Sequence, residues 1–66
     1  MLKLDEVKTI PVGKGIRVQR VKEFYHYNAL VVKKADEGLY LMTENGALSK
    51  PQYKTYGKTW YVECVN

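Results

Sequence analysis

The chain has 66 residues, of which 45% are hydrophobic, and a formal net charge of +4 at pH 7. This length predicts a single small domain over residues 1–66, and the hydrophobic content is too high for a disordered tail. The same numbers exclude a multidomain enzyme and a coiled-coil rod, but they do not by themselves indicate a function.

The beginning of the chain is typical of neither a secreted nor a membrane protein. Asp5 and Glu6 stand where a signal peptide would carry an apolar stretch. The longest aliphatic run, Ala29 to Val32, is far shorter than the ~20 residues of a membrane-spanning helix. The single cysteine, Cys64, cannot form an internal disulfide, which favours a reducing compartment. We therefore expect a soluble cytoplasmic protein with no membrane partner.

Strand signals recur along the chain. Val7 to Val12 is rich in β-formers, and Gly15 to Val21 alternates apolar and polar residues through Val18. Leu39 to Thr43 is short and apolar, as a central strand would be. Alternation in the last strand, Lys58 to Val65, predicts a buried face formed by Trp60, Val62 and Cys64.

The segment 21–37 allows two interpretations. Apolar and aromatic residues recur there at helical spacing, and Gly38 would then cap a helix at its C-terminus. Its tyrosines and adjacent valines are better strand formers, however. We predict a strand from Asn28 to Lys34, with Lys22 to Tyr27 as strand or loop. The alternative is an α+β fold with one helix within 21–37.

Turn residues separate these strands. Residues 35–39 and 43–47 both place polar residues before a glycine, which predicts a type I turn followed by glycine in the left-handed region. Gly57 indicates a third reversal. The sequence therefore predicts an all-β fold, a small antiparallel barrel or bent meander of five or six strands.

The predicted order of strands resembles the SH3-like barrels in general form. Within it, Gly15-Ile16-Arg17-Val18 follows Val12-Gly13 and is similar to the glycine-led strand of KOW-type members. The resemblance implies a small bent β-sheet as the framework of the domain.

Groups suited to catalysis or metal binding are few. A structural zinc site needs four ligands, and the chain has one histidine, His26, and one cysteine, Cys64. A thiol–imidazole pair is disfavoured because the strand pattern buries the cysteine. Gly13-Lys14-Gly15 lacks the spacing of a phosphate-binding loop. We expect no enzyme activity, no cofactor and no metal.

The positive charge is concentrated in two segments, with +5 over residues 8–22 and +2 over residues 50–66. The second segment interleaves lysines with aromatic rings. Single-stranded nucleic acid is bound by that combination, because cations follow its backbone and rings stack on its bases. The predicted partner surface combines residues of both segments: Lys14, Arg17, Arg20, Lys22, Tyr53, Lys54, Tyr56, Lys58 and Tyr61.

An acidic protein would fit the same charge. The chain holds six tyrosines, one tryptophan and one phenylalanine, and a core this small cannot enclose all of them. Exposed rings are typical of protein interfaces. We predict a non-catalytic basic binding module with nucleic acid as the favoured partner. The alternative is a small protein–protein interaction module, an adaptor or an inhibitor that occupies a site on another protein. A homodimer is compatible with both.

Overall fold

The computed structural model describes residues 1–63, which form five β-strands, one short α-helix and one 3-10 turn. In chain order these are α1 (Leu4–Lys8), β1 (Gly15–Arg20), β2 (Tyr25–Ala35), β3 (Gly38–Thr43), β4 (Leu48–Ser49), the 3-10 turn (Tyr53–Thr55) and β5 (Trp60–Glu63).

All five strands belong to one antiparallel sheet in the order β4–β3–β2–β1–β5. This confirms the all-β prediction with five strands in a bent meander. Within residues 1–63, β4 and β5 lie at opposite edges and do not pair, so the sheet is open and not a closed barrel. The Leu2 N–H donates to the Val62 carbonyl at 2.9 Å, which brings the N-terminal segment alongside β5.

The segment 21–37 contains a long strand, so the helical alternative is wrong. β2 pairs with β1 through its first part and with β3 through its second part. Ala29 and Val31 are buried while their neighbours are exposed, which is the period of two that a half-buried sheet imposes. The register shifts between Val31 and Lys33, and the extra residue Val32 bends the strand at this point.

The predicted strand over Val7 to Val12 is wrong, because α1 includes its first two residues and a loop follows. The Lys3 N–H donates to Oε1 of Glu6 at 2.9 Å, which satisfies a backbone donor at the start of the helix. Val7 and Ile10 are both buried. Ile10 lies in the loop after α1, where its N–H donates to the Val7 carbonyl at 3.2 Å and the chain turns both side chains to the core.

The glycines at the reversals have two different roles. Gly46 has a φ angle of +82°, so the left-handed turn predicted there is confirmed. Gly57 lies at the predicted third reversal, in the turn before β5, and has a φ angle of +81°. The same prediction at Gly38 is wrong, since Gly38 pairs with Ala35 within the sheet and has no positive φ. It is needed for a close approach, because a Cβ at Gly38 would lie 2.1 Å from the Pro51 carbonyl oxygen.

The core lies on one face of the sheet and is completed by Val7 of α1 and Ile10 of the loop after it. Trp60 and Val62 are buried as predicted, whereas Cys64 lies outside the described residues. Nε1 of Trp60 donates to the Gln52 carbonyl and to Oγ1 of Thr55, both at 3.0 Å. The buried hydrophobic residues are Val7, Ile10, Ile16, Val18, Ala29, Val31, Leu39, Leu41, Trp60 and Val62.

Candidate functional site

A groove with a volume of about 580 Å³ lies between the start of β2 and the hairpin that joins β3 to β4. Pairing of β2 with β3 begins only at Ala29, so residues 25–28 pair with β1 alone. The edge of residues 25–28 that does not pair with β1 faces the hairpin across the groove. One wall of the groove is formed by Arg17, Arg20, Tyr25, His26, Tyr27 and Asn28.

Two tyrosine rings from alternate positions of β2 lie in this wall. The ring centroids of Tyr25 and Tyr27 are 5.9 Å apart, and their planes are inclined by 33°. Tyr27 is half-buried against the core, and its hydroxyl lies 3.4 Å from Oγ of Ser49 across the groove. Tyr25 is 52% exposed. One ring is therefore held in place by packing, while the face of the other is accessible from solvent.

The groove carries a positive excess. Arg17 and Arg20 contribute two positive charges, and Glu44 is the one acid among the described residues that line it. Nη1 of Arg17 lies 3.9 Å from Oε2 of Glu63, and such an exposed ion pair contributes little. Among the residues described, Arg20 is in no ion pair. Its guanidinium is thus available to an anionic ligand.

Arg20 and two predicted lysines lie at the same end of the sheet. Lys22 is in the turn between β1 and β2, and Lys58 is in the turn before β5. The two turns are joined by a hydrogen bond from the Val21 N–H to the Thr59 carbonyl at 3.0 Å. Basic residues that are far apart in the sequence are therefore brought to one end of the molecule.

Lys14 lies at the other end of β1. Its carbonyl accepts a hydrogen bond from the Val31 N–H at 3.0 Å, and its side chain is exposed. Six strand residues, at ~3.3 Å each, place Arg20 roughly 20 Å away. The basic segment over residues 8–22 consequently does not form a single patch.

Tyr53 and Tyr56 are engaged within the fold. The Tyr56 hydroxyl donates to the Leu2 carbonyl, and its ring packs edge-on against Trp60 with centroids 5.0 Å apart. Tyr53 packs against the core with Nζ of Lys8 5.4 Å from its ring centroid. Burial raises the pKa of both tyrosines above the ordinary 10.0. Both rings thus contribute to the packing of the chain.

The remaining predicted residues lie away from the groove. Tyr61 is half-buried on β5 opposite Gln19, and Lys54 is exposed in the 3-10 turn. The described fold does not bring Tyr53, Tyr56 and Tyr61 together on one exposed surface. Their part in partner binding stays a prediction.

Sequence reasoning missed Tyr25, His26 and Tyr27 as groove residues. The sequence of residues 22–27 fits either a strand or a loop, and it does not fix the direction of their side chains. The feature that places them in the groove is the pairing of Arg20 with Tyr25 across a four-residue turn. A hairpin closed at that pair places the two tyrosines at alternate positions next to the basic end of β1.

A second surface feature is an apolar row on the outer face of the sheet. Leu30 is opposite Met42, and Met42 is opposite Leu48, so the three side chains form a line across β2, β3 and β4. All three are exposed. Beside this row, the ammonium groups of Lys33 and Lys50 lie 5.4 and 5.2 Å from the Tyr40 ring centroid.

Comparison with known proteins does not assign the chain to a family. No protein-family model, no curated protein and no solved structure matches it. Within residues 1–63, no helix has the length and apolar character needed to cross a membrane. The same part of the chain contains no group of three or more His, Cys, Asp or Glu side chains placed to hold a metal ion.

Proposed function

We propose that the protein is a non-catalytic module that binds single-stranded nucleic acid in the groove beside the start of β2. The observation that carries this proposal is the position of the exposed Tyr25 ring next to Arg20 in an open, basic groove. Stacking on rings and charge attraction along the backbone are the two interactions that hold single strands. The single cysteine supports a cytoplasmic location as part of the same proposal.

Besides its charge, the groove has a volume and hydrogen-bonding groups suited to a nucleotide. Its volume of about 580 Å³ lies within the ~300–1,000 Å³ of typical ligand sites. His26, Asn28 and Asn45 line it and supply donors and acceptors for base edges and sugar hydroxyls. In this proposal Tyr25 stacks on a base, Arg20 contacts a phosphate, and Lys22 and Lys58 extend the path of the strand.

A binding titration with matched charge variants tests the proposal. The probe is a labelled oligothymidylate of about twelve nucleotides, followed by fluorescence anisotropy at about 50 and 200 mM salt. Arg20→Gln and Lys14→Gln remove the same charge from opposite ends of β1. We expect the first to lower affinity roughly fivefold and to reduce the salt slope by about 0.7, and the second to change affinity less than about twofold.

Tyr25→Ala and Tyr61→Ala form a second matched pair. Loss of a stacking ring lowers affinity by about 5- to 100-fold, so we expect that loss for Tyr25→Ala only. Equal losses in both charge variants would mean diffuse attraction without a site. No binding at either salt concentration would end the proposal.

The second candidate function is protein–protein interaction, favoured by the apolar row of Leu30, Met42 and Leu48. We assign a second copy of this chain as its occupant. A twofold axis along the row would bring Lys33 and Lys50 of one copy over the edge that carries Glu44 in the other. Opposite charges would then flank an apolar centre, as in other self-complementary interfaces.

Sedimentation equilibrium over a range of protein concentrations tests this second candidate. We expect reversible dimers of the wild type, and monomers when Leu48→Lys places a charge in the row. Lys22→Ala, on the turn between β1 and β2, is the control and should leave the dimer intact. A wild-type chain that stays monomeric at every concentration would remove the second copy as the occupant.

A further inference from the structure

The turn between β1 and β2 contains Phe24, and the packing of the fold does not explain why this position carries a phenylalanine. Its side chain is 92% exposed, so it adds nothing to the core. Its φ angle is +48°, and within residues 1–63 it is the one non-glycine residue with a positive φ. A left-handed backbone destabilises any residue that has a Cβ, and a bulky ring there is unusual.

Strain and exposure at one residue indicate a role outside folding. Strained backbone persists where the surrounding structure holds it, and such residues cluster at binding sites. A glycine at this position would remove the strain, and a polar residue would remove the apolar exposure. Phe24 keeps both the backbone strain and the apolar exposure. Contact of its ring with a ligand accounts for a phenylalanine at this position.

The surroundings of Phe24 indicate the chemistry of that ligand. The next residue is Tyr25, whose ring lines the groove, and the turn itself carries Lys22. Arg20 closes the hairpin opposite Tyr25. Glu23 is the one acid in the turn, next to Lys22 in the turn and Arg20 at the end of β1. An exposed ring flanked by positive charge suits an unstacked base on a polyanionic strand.

We propose that Phe24 stacks on an unpaired base of the strand bound in the groove, next to the base held by Tyr25. This inference rests on the proposed function and adds a binding residue and a ligand preference to it. A base in a single strand presents a free face, whereas a base inside a duplex does not. Phe24 therefore favours single strands over duplexes, with little preference among bases because every base has a face on which a ring can stack.

Three variants separate the ring from the backbone strain. Phe24→Ala removes the ring and keeps the strain, Phe24→Gly removes both, and Phe24→Trp keeps an aromatic ring. We expect Phe24→Ala and Phe24→Gly to lose affinity for the labelled oligothymidylate to the same degree, about 5- to 100-fold. Stacking involves no net charge, so the loss should be similar at about 50 and 200 mM salt.

Two further readouts belong to the same experiment. Phe24→Gly should raise the thermal midpoint by about 4 °C, because glycine adopts a positive φ without steric cost. Phe24→Trp should keep wild-type affinity, and its fluorescence should be quenched on binding by more than that of the wild type, whose one tryptophan, Trp60, is buried. Duplex of the same length should bind wild type and Phe24→Ala alike.

The outcomes distinguish this inference from the proposed function. Wild-type affinity in Phe24→Ala together with weak binding by Tyr25→Ala would overturn the role of Phe24 and leave the groove as the site. A wild-type chain that binds no oligonucleotide would overturn both. Loss of self-association in Phe24→Ala in that case would assign the ring to a protein contact instead.

Discussion

Gly38 has no room for a side chain, because the Pro51 carbonyl oxygen lies where a Cβ would be placed, 2.1 Å from it. The neighbouring Leu39 N–H donates to the same carbonyl at 3.1 Å, so the two segments cannot separate without losing a hydrogen bond. We expect Gly38→Ala to lower the free energy of unfolding by about 3 kcal/mol, measured by urea denaturation.

Gly15 provides the matched control. It starts β1, has no positive φ, and no atom lies within 4 Å of the position a Cβ would take. Gly15→Ala should therefore leave stability unchanged or raise it by up to about 1 kcal/mol, since it restricts the unfolded chain. Equal destabilisation by the two substitutions would contradict the close approach at Gly38.

The Tyr56 hydroxyl makes the stability of the fold decrease at high pH. Burial raises the pKa of Tyr56 above 10.0, the bonded N–H of Val62 partly offsets this, and the charge of Glu6 raises it further. The folded chain therefore holds this proton more tightly than the unfolded chain does. Its contribution to stability is complete below pH 10 and is lost as the pH rises through the folded-state pKa.

Urea denaturation at about pH 7, 9 and 10.5 measures this dependence. We expect Tyr56→Phe to lower stability at neutral pH by about 1 kcal/mol, because the Leu2 carbonyl loses its donor, and to reduce the fall above pH 10. Within residues 1–63 the tyrosine hydroxyls that form hydrogen bonds are those of Tyr27 and Tyr56, so Tyr61→Phe should change neutral-pH stability by less than about 0.5 kcal/mol. A profile in Tyr56→Phe that falls as steeply as the wild type would contradict this account.

At the scale of elements, the 3-10 turn is held by two kinds of contact: the Tyr53 N–H donates to the Glu37 carbonyl at 2.8 Å, and the side chain of Trp60 reaches the turn from the sheet. Trp60 lies in β5 and donates from Nε1 to Gln52 and Thr55, which flank and end the turn. Trp60→Phe removes both hydrogen bonds and part of the buried ring. We expect it to lower the free energy of unfolding by about 1–3 kcal/mol and to speed hydrogen exchange at residues 55–59.

Thr55→Ser is the control for this anchor. It keeps the hydroxyl that accepts from Trp60, so exchange at residues 55–59 should remain slow. If Trp60→Phe destabilised the chain without changing exchange there, the indole would act through volume alone and not as an anchor for the turn.

Element prediction succeeded where the pattern had a single physical cause. The alternation in β1 and β5 reflects burial on one face, and Gly46 and Gly57 reflect backbone geometry that favours glycine. It failed at α1, whose five residues are too few to show helical periodicity and whose start depends on the Lys3–Glu6 contact. It was ambiguous in β2, since the bulge at Val32 breaks the alternation.

At the scale of the whole molecule, the sequence predicts the net charge but not which basic residues lie together on the surface. The net charge of +4 and the basic segments are properties of composition. The grouping of Arg20, Lys22 and Lys58 depends on the pairing of β1 with β5, which is a long-range contact. The packing of Tyr53 depends on its contact with Lys8, and that of Tyr56 on its hydrogen bond to the Leu2 carbonyl. Contacts between residues so far apart in the chain cannot be predicted from local sequence patterns.

The location of the nucleic-acid site is the central claim, and an amide chemical-shift titration of the isotope-labelled chain with unlabelled oligothymidylate tests it most directly. We predict that the largest changes fall on the amides of residues 20–28 and 43–47, the two walls of the groove and the turn beside it. Changes centred on residues 53–56 or on the row of Leu30, Met42 and Leu48 would contradict it. So would an unchanged spectrum at saturating oligonucleotide.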